Sequence, residues 1–338
     1  MISKLIRTNN NKIIPKWFLR QAGRHIPEYF LIRNRHNNFI DFCLHEDSIF
    51  EATILPLKYY NIDAAILFSD ILLIPYCLGQ EVNFQKSIGP LLKEVKFNKE
   101  FFKREVEFNK LIPIKNAIGK IKKSIGSNKD LIGFCGAPWS LACYMVEGGG
   151  AKDFVKTRKL LWNDEKLFVN LINKLTKSCA EILEYQYQSG ATVLMIFDTW
   201  SNMIPDRYWE KFGINPTKYI IDFLRKKNVL CPIIGLPFKS GEMLIQYSYE
   251  SSVDIVSIDW KTNLRWALNN INKKVATQGN LDPVILSSDN LSIIKDEVSR
   301  ILDVTHKKCH IFNVGHGLIP EVKVENVQYV IELIDKYN

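Results

Sequence analysis

No apolar run in this sequence approaches the ~20 residues that a membrane-spanning helix requires, so no membrane partner is expected. The first residues, Met1 to Arg7, lack the apolar core of a secretory leader, and a cytoplasmic location is the expectation. The cysteines are seven, an odd number, scattered and without a C-x-x-C pair, which excludes a disulfide framework and a spaced zinc site. The nearest thing to a ligand cluster, His306-Lys-Lys-Cys309-His310, lacks a second ligand group, and no metal is expected. Repeats, low-complexity segments and linkers rich in Pro, Gly or Ser are all missing. So is a glycine-rich dinucleotide turn after the first apolar run. Nor is there a block of like charge: the 45 Lys and Arg exceed the 36 Asp and Glu by 9, but they are dispersed. That dispersion reads as a solvated surface and not as a nucleic-acid footprint, although the field would favour an anionic small molecule.

What the sequence does contain is a recurring unit: a short apolar run, a polar or glycine-bearing turn, then a helical pattern. The runs are Trp17–Gln21, Ala64–Phe68, Leu131–Phe134, Val193–Phe197, Pro232–Leu236, Ile255–Ile258, Val275–Gln278 and His310–Val314. Helical periods lie between them at Ser48–Tyr60, Phe101–Ile121, Asp164–Gln188, Asp206–Lys227, Ser240–Tyr249, Asn263–Ile271, Asp289–Leu302 and Val324–Tyr337. The clearest is Asp164–Gln188, with Phe168, Leu171, Ile172, Leu175, Cys179, Ile182, Leu183 and Gln186 on one stripe. Eight continuously apolar strands alternating with helices predict an α/β fold, a (β/α)8 TIM barrel occupying residues 1–338 as a single domain. A doubly wound open sheet is the alternative.

In such a barrel the chemistry sits where strands end and the next loops begin. Those positions carry Arg20 and Arg24, Ser69-Asp70, Gly136-Ala-Pro-Trp139, Asp198-Thr199-Trp200, Pro237-Phe238, Asp259-Trp260, Gly279-Asn280 and Gly315-His316-Gly317. Two arginines four apart, with no acid between them, read as an anion clamp or as a pair of surface cations. Asp70 ends an apolar run, either as a cap or as a catalytic carboxylate; apolar sequence continues beyond it, which favours the second. His316 between two glycines suits ligand binding better than a core position. Tyr144 is open to either packing or a hydroxyl at the mouth. Gly148 to Gly150 lack a following Lys-Ser/Thr and read as a tight loop or hinge. Lys239 and Lys261 follow strand ends, but neither has the partner a Schiff-base lysine needs.

Several long motifs occur in order from about residue 15 to about residue 335. They are Phe18-Leu-Arg-Gln-Ala-Gly-Arg24 with Pro27-Glu-Tyr29, Phe68-Ser-Asp-Ile-Leu72, and Gly133-Phe-Cys-Gly-Ala-Pro-Trp139 with Tyr144-Met-Val-Glu-Gly-Gly149. Gln278-Gly-Asn-Leu-Asp-Pro283 and Asn313-Val-Gly-His-Gly317 complete the set. Together they resemble the uroporphyrinogen decarboxylase family. The resemblance implies a (β/α)8 barrel, usually a homodimer, that acts in tetrapyrrole (haem) synthesis without metal or organic cofactor. It would convert the four acetate side chains of uroporphyrinogen III to methyls, giving coproporphyrinogen III. It implies catalytic roles for Asp70 and Arg20, and substrate contacts from Arg20, Arg24, Asp70, Tyr144, Thr199 and His316. Phe30 departs from the family pattern, standing where many relatives have arginine, and Gly235–Gly241 is one of several variants of its loop. Two alternatives remain at this level: a zinc-dependent methyltransferase of the same superfamily, and a non-catalytic anion-binding barrel.

Overall fold

The computed structural model describes residues 1–8, 13–85 and 88–338. Seven of the eight apolar runs form parallel strands, each almost wholly buried, as a sheet covered on both faces requires. β1 (Ala64–Ile66) is followed by an antiparallel hairpin that the sequence reading did not anticipate, β2 (Val82–Gln85) with β3 (Gly89–Leu92). The sheet continues with β4 (Asp130–Gly136), β5 (Val193–Asp198), β6 (Ile233–Pro237), β7 (Ile255–Ser257), β8 (Ala276–Leu281) and β9 (His310–Val314). Its neighbour order is β1-β4-β5-β6-β7-β8-β9, so each sheet strand pairs with the next one along the chain and helices cover the crossovers.

The remaining run, Trp17–Gln21, is not a strand. One parallel bridge joins Lys16 to Phe312, the Phe312 N–H donates to the Pro15 carbonyl at 2.8 Å, and the Asp63 N–H donates to the Lys16 carbonyl at 2.9 Å. The segment therefore touches β9 on one side and the approach to β1 on the other. Trp17 N–H donates to the Phe312 carbonyl at 3.3 Å, but side chains take the donors on either side of it. Lys16 N–H bonds Asp63 Oδ2 (2.9 Å), Phe18 N–H bonds Gln21 Oε1 (3.3 Å) and Leu19 N–H bonds Asn313 Oδ1 (2.9 Å). At Arg20 the backbone enters the left-handed region (φ 60°), which ends any extension.

The longest helix, Glu165–Ser189, begins where Asp164 accepts the Leu167 N–H at 3.0 Å, and it buries the whole predicted stripe. The predicted Ser48–Tyr60 helix is two, Glu46–Ile54 and Pro56–Tyr59, because Pro56 has no N–H to continue the first. Phe101–Ile121 also divides, into Lys99–Lys103, which ends where the backbone turns extended at Arg104, and Ile112–Ile125, with Pro113 in its opening turn. Beneath the sheet, helix Ile2–Thr8 is pinned to the start of β4: the buried Asp130 carboxylate accepts from Ser3 N–H (3.0 Å), Ser3 Oγ (2.6 Å) and Thr192 Oγ1 (2.9 Å). That end is closed by structure, which leaves the carboxyl ends of the strands for function. No helix among the described residues is long and apolar enough to cross a membrane.

Candidate active site

Beyond the carboxyl ends of the strands, four of the predicted side chains come together: Arg20, Asp70, Tyr144 and His316. Asp70 follows β1 in a turn, where its Oδ1 accepts the Leu72 N–H at 2.8 Å. Burial pushes its carboxyl up to about 6, against that backbone bond and the Arg20 charge, which both favour the ionised form. Asp70 as a whole residue is half-buried.

Arg20 faces Asp70 and Tyr144. The residue as a whole is exposed, yet burial of its guanidinium lowers its pKa, against the pull of Tyr144 and Asp70, and the neighbouring Arg24 adds to the lowering. The stem of Arg20 lies across Gly317, where a Cβ would come within 2.2 Å of Arg20 Cδ. Glycine is needed there because the arm occupies the space of a side chain. Gly315 is needed for another reason: a Cβ there would meet the Trp260 backbone nitrogen at 2.0 Å. The two glycines of Gly-His-Gly thus allow close approach on either side of His316.

Tyr144 lies on helix Pro138–Glu147, half-buried, its ring 6.1 Å from that of Trp200 (centroid to centroid). Burial raises the phenol pKa, so the hydroxyl stays protonated and can donate. The buried Trp200 indole N–H lies beside the phenol and works against that shift. His316 stacks on Phe238 at 4.2 Å and is pushed down to about 3 by burial, with Arg20 and Lys239 adding their charge. It is therefore a neutral imidazole at physiological pH.

The other two predicted residues stand differently. Arg24 is exposed, past the Gly23 turn, within electrostatic reach of Arg20 and of Tyr29. Thr199, at the end of β5, is half-buried and makes no side-chain hydrogen bond to the described residues. Two of the less favoured candidates resolve into structure. His310 is buried with both ring nitrogens engaged, by Thr277 Oγ1 and the Gly279 carbonyl, each at 2.8 Å, so it is a core histidine. Gly148 ends the Tyr144 helix in the left-handed conformation (φ 82°), and its carbonyl accepts from Leu92 N–H of β3 at 2.9 Å. Among the described residues no cluster of three or more His, Cys, Asp or Glu side chains could hold a metal ion, and the zinc-dependent alternative finds no ligand set there.

The sequence reading missed the groups that hold these side chains in place. Ser140 Oγ donates to the buried Asp198 at 2.6 Å and accepts the Trp200 N–H at 3.0 Å, tying the Tyr144 helix to the loop after β5. Asn313 accepts from Leu19 N–H and Val314 N–H, fixing the Arg20 turn against β9. The signal for the first was present: a serine and an aspartate at neighbouring strand ends.

Because His316 titrates far below neutrality, the acid side of a pH–rate profile should not report it. His316→Gln is expected to lower kcat/KM about tenfold while the acid limb stays at its wild-type pH. Steady-state rates between pH 5 and 8 check this.

A seven-stranded parallel sheet with a carboxylate, a cation and neutral donors converging beyond its carboxyl-terminal edge defines an enzyme-type site of the α/β class. The chain belongs to the uroporphyrinogen decarboxylase family, whose model matches residues 2–337. It is 40% identical over 333 residues to a uroporphyrinogen decarboxylase of Rickettsia africae (strain ESF-5), covering 98% of this chain and 95% of that protein. It is 38% identical over 338 residues to the same-named protein of Rickettsia bellii (strain RML369-C), covering 100% and 98%. Among solved structures a methyltransferase from Methanosarcina mazei superposes with a TM-score of 0.78 at 15% identity, over 99% of this chain and 97% of that one. At that identity the likeness speaks to the fold alone.

Proposed function

We propose that this protein removes CO2 from the four acetate side chains of uroporphyrinogen III to give coproporphyrinogen III, with no metal or organic cofactor. The observation that carries the reading is the opposition of the Asp70 carboxylate and the Arg20 guanidinium at one mouth. Breaking the bond between an acetate CH2 and its carboxylate leaves an electron pair that needs a sink. A pyrrole protonated on a ring carbon supplies one. The pair flows into the cationic ring as CO2 departs, leaving an exocyclic methylene. Protonation of that methylene and loss of the added ring proton restore the pyrrole with a methyl group, at a net cost of one proton per acetate.

Asp70, ionised at neutral pH, lies where it stabilises the ring cation and accepts from the pyrrole N–H groups. Arg20 holds the reacting carboxylate. The resemblance to the family also makes one of the two arginines, Arg20 or Arg24, the proton donor. Arg24, Tyr144, Thr199 and neutral His316 grip the carboxylates of the other arms. In this reading the whole chain is one catalytic domain, and Pro15–Trp17 closes the sheet as its eighth stave, supported by the hydrogen bonds to Phe312 and Asp63. A homodimer in the cytoplasm, with no nucleic-acid partner, belongs to the same proposal.

The test is anaerobic incubation of the purified protein with uroporphyrinogen III, followed by oxidation and separation of the products by carboxyl number. Porphyrins with seven, six, five and four carboxyls are expected. Folded protein that leaves the substrate intact would overturn the reading.

A further inference from the structure

Arg20 is not the only cation beside His316. Lys239, immediately after Phe238 at the end of β6, is also held in the left-handed backbone region (φ 59°). That conformation is uncommon for a residue with a side chain and is maintained where the surroundings demand it. The Lys239 ammonium lies 5.0 Å from the centre of the Phe238 ring and 5.7 Å from that of Trp260. Phe238 in turn carries His316 at 4.2 Å. No carboxylate comes within ion-pair distance of Lys239 or of Lys261 among the described residues, although most lysines that pair in this chain do so with ordinary surface acids.

The two lysines border one groove of about 450 Å3, which Asn202 and Trp266 also line. This is the size of a small-molecule pocket. Two acids share the groove, and neither neutralises the lysines. Asp259 spends Oδ1 on the Lys261 N–H (2.9 Å) and Oδ2 on Thr262 Oγ1 (2.8 Å). Glu242 is exposed and forms no ion pair with either lysine among the described residues. Ammonium groups outside any ion pair, the Trp266 ring in the lining, and Lys239 close enough to act on His316 together with Arg20 are the features that receive a carboxylate on a flexible apolar arm.

We propose that Lys239, Lys261 and the groove between them form a carboxylate subsite that takes the acidic arms of the macrocycle lying outside the reacting pyrrole. The proposal rests on the decarboxylase reading above. Lys239 would be a specificity-determining cation, not a proton carrier, and its loss should weaken binding without slowing the chemical steps.

The experiment compares wild type, Lys239→Met, Lys239→Arg and Lys261→Met in anaerobic turnover of uroporphyrinogen III at several salt concentrations. A partly exposed charge pair predicts a KM about fivefold higher for Lys239→Met and about threefold higher for Lys261→Met, with kcat within about twofold of wild type. Lys239→Arg should recover most of the loss, and the salt dependence of KM should flatten in Lys239→Met. An unchanged KM in both methionine variants would overturn the proposal. So would a KM rise that arginine fails to repair, since that marks packing of the lysine stem on Phe238 and Trp260. If Lys239→Met does not fold, Lys261→Met decides alone, by the same threefold rise or its absence. Wild-type turnover with no variant effect defeats this inference only; a wild type without turnover defeats the decarboxylase reading itself.

Discussion

Asp70→Asn is expected to cut kcat about a thousandfold while substrate affinity changes by less than about threefold. The amide keeps the shape of the carboxyl and can still accept a hydrogen bond from a pyrrole N–H or from Leu72 N–H, which bonds Asp70 Oδ1 at 2.8 Å. It cannot offset a full positive charge, and that charge exists only after the ring is protonated. The loss should therefore fall on kcat, and a proportionate loss of binding would instead mean a positioning role. The same substitution should stabilise the empty protein. The folded carboxyl titrates at about 6, above its ordinary 3.8, so between these values the native state holds a proton that the unfolded chain has released. Stability then falls as pH rises through this window, and above it the charged form costs the fold on the order of 1 kcal/mol once solvent screening is allowed for. Removing the charge should raise Tm by a few degrees at pH 8, with the gain vanishing near pH 4. Thermal melts of both proteins across that range, set beside single-turnover rates, test the two effects together.

A variant that loses turnover and gains stability marks a site where local rules yield to function, and such places also limit what the sequence can reveal. The strands were legible because each is a continuous apolar run between turns, and the helix at Glu165–Ser189 because one stripe keeps its period for 25 residues. Trp17–Gln21 misled for a physical reason: it has the composition of a strand, but after the one bond from Trp17 to Phe312 its donors turn to the side chains of Gln21 and Asn313. The hairpin β2–β3 escaped because its alternation is weak and Pro90 interrupts it. For the site, the strand-end rule was enough to bring Arg20, Asp70 and His316 to one edge of the sheet, while it left Tyr144 open between packing and the mouth. It could not show that Phe238 carries His316, that Lys239 flanks it, or that Thr199 stays out of the cluster's hydrogen bonds. Those depend on where side chains point after the backbone has turned through φ 60° at Arg20 and φ 59° at Lys239.

The Arg20 turn also governs the second large effect. Arg20→Gln should lower kcat/KM by about a thousandfold, because it removes both the fork that holds the reacting carboxylate and the cation facing Asp70. The loss carries its own pH signature. Arg20 holds the Asp70 pKa down, so without it burial acts unopposed by that charge, and the acid limb of the rate profile should move upward from its wild-type position near pH 6. Gly317→Ala offers a version that keeps the charge. The new Cβ would fall 2.2 Å from Arg20 Cδ and 2.8 Å from Nε, so the arm has to leave its place across the loop while remaining a cation. Its expected effect is a loss of about thirtyfold, with a smaller upward shift of the acid limb. Rate profiles of the two variants between pH 5 and 9 separate the contributions. A shift in Arg20→Gln alone assigns the tuning of Asp70 to the charge wherever the arm lies. A shift in both, ordered as stated, assigns it to the charge held in this one position by the glycine.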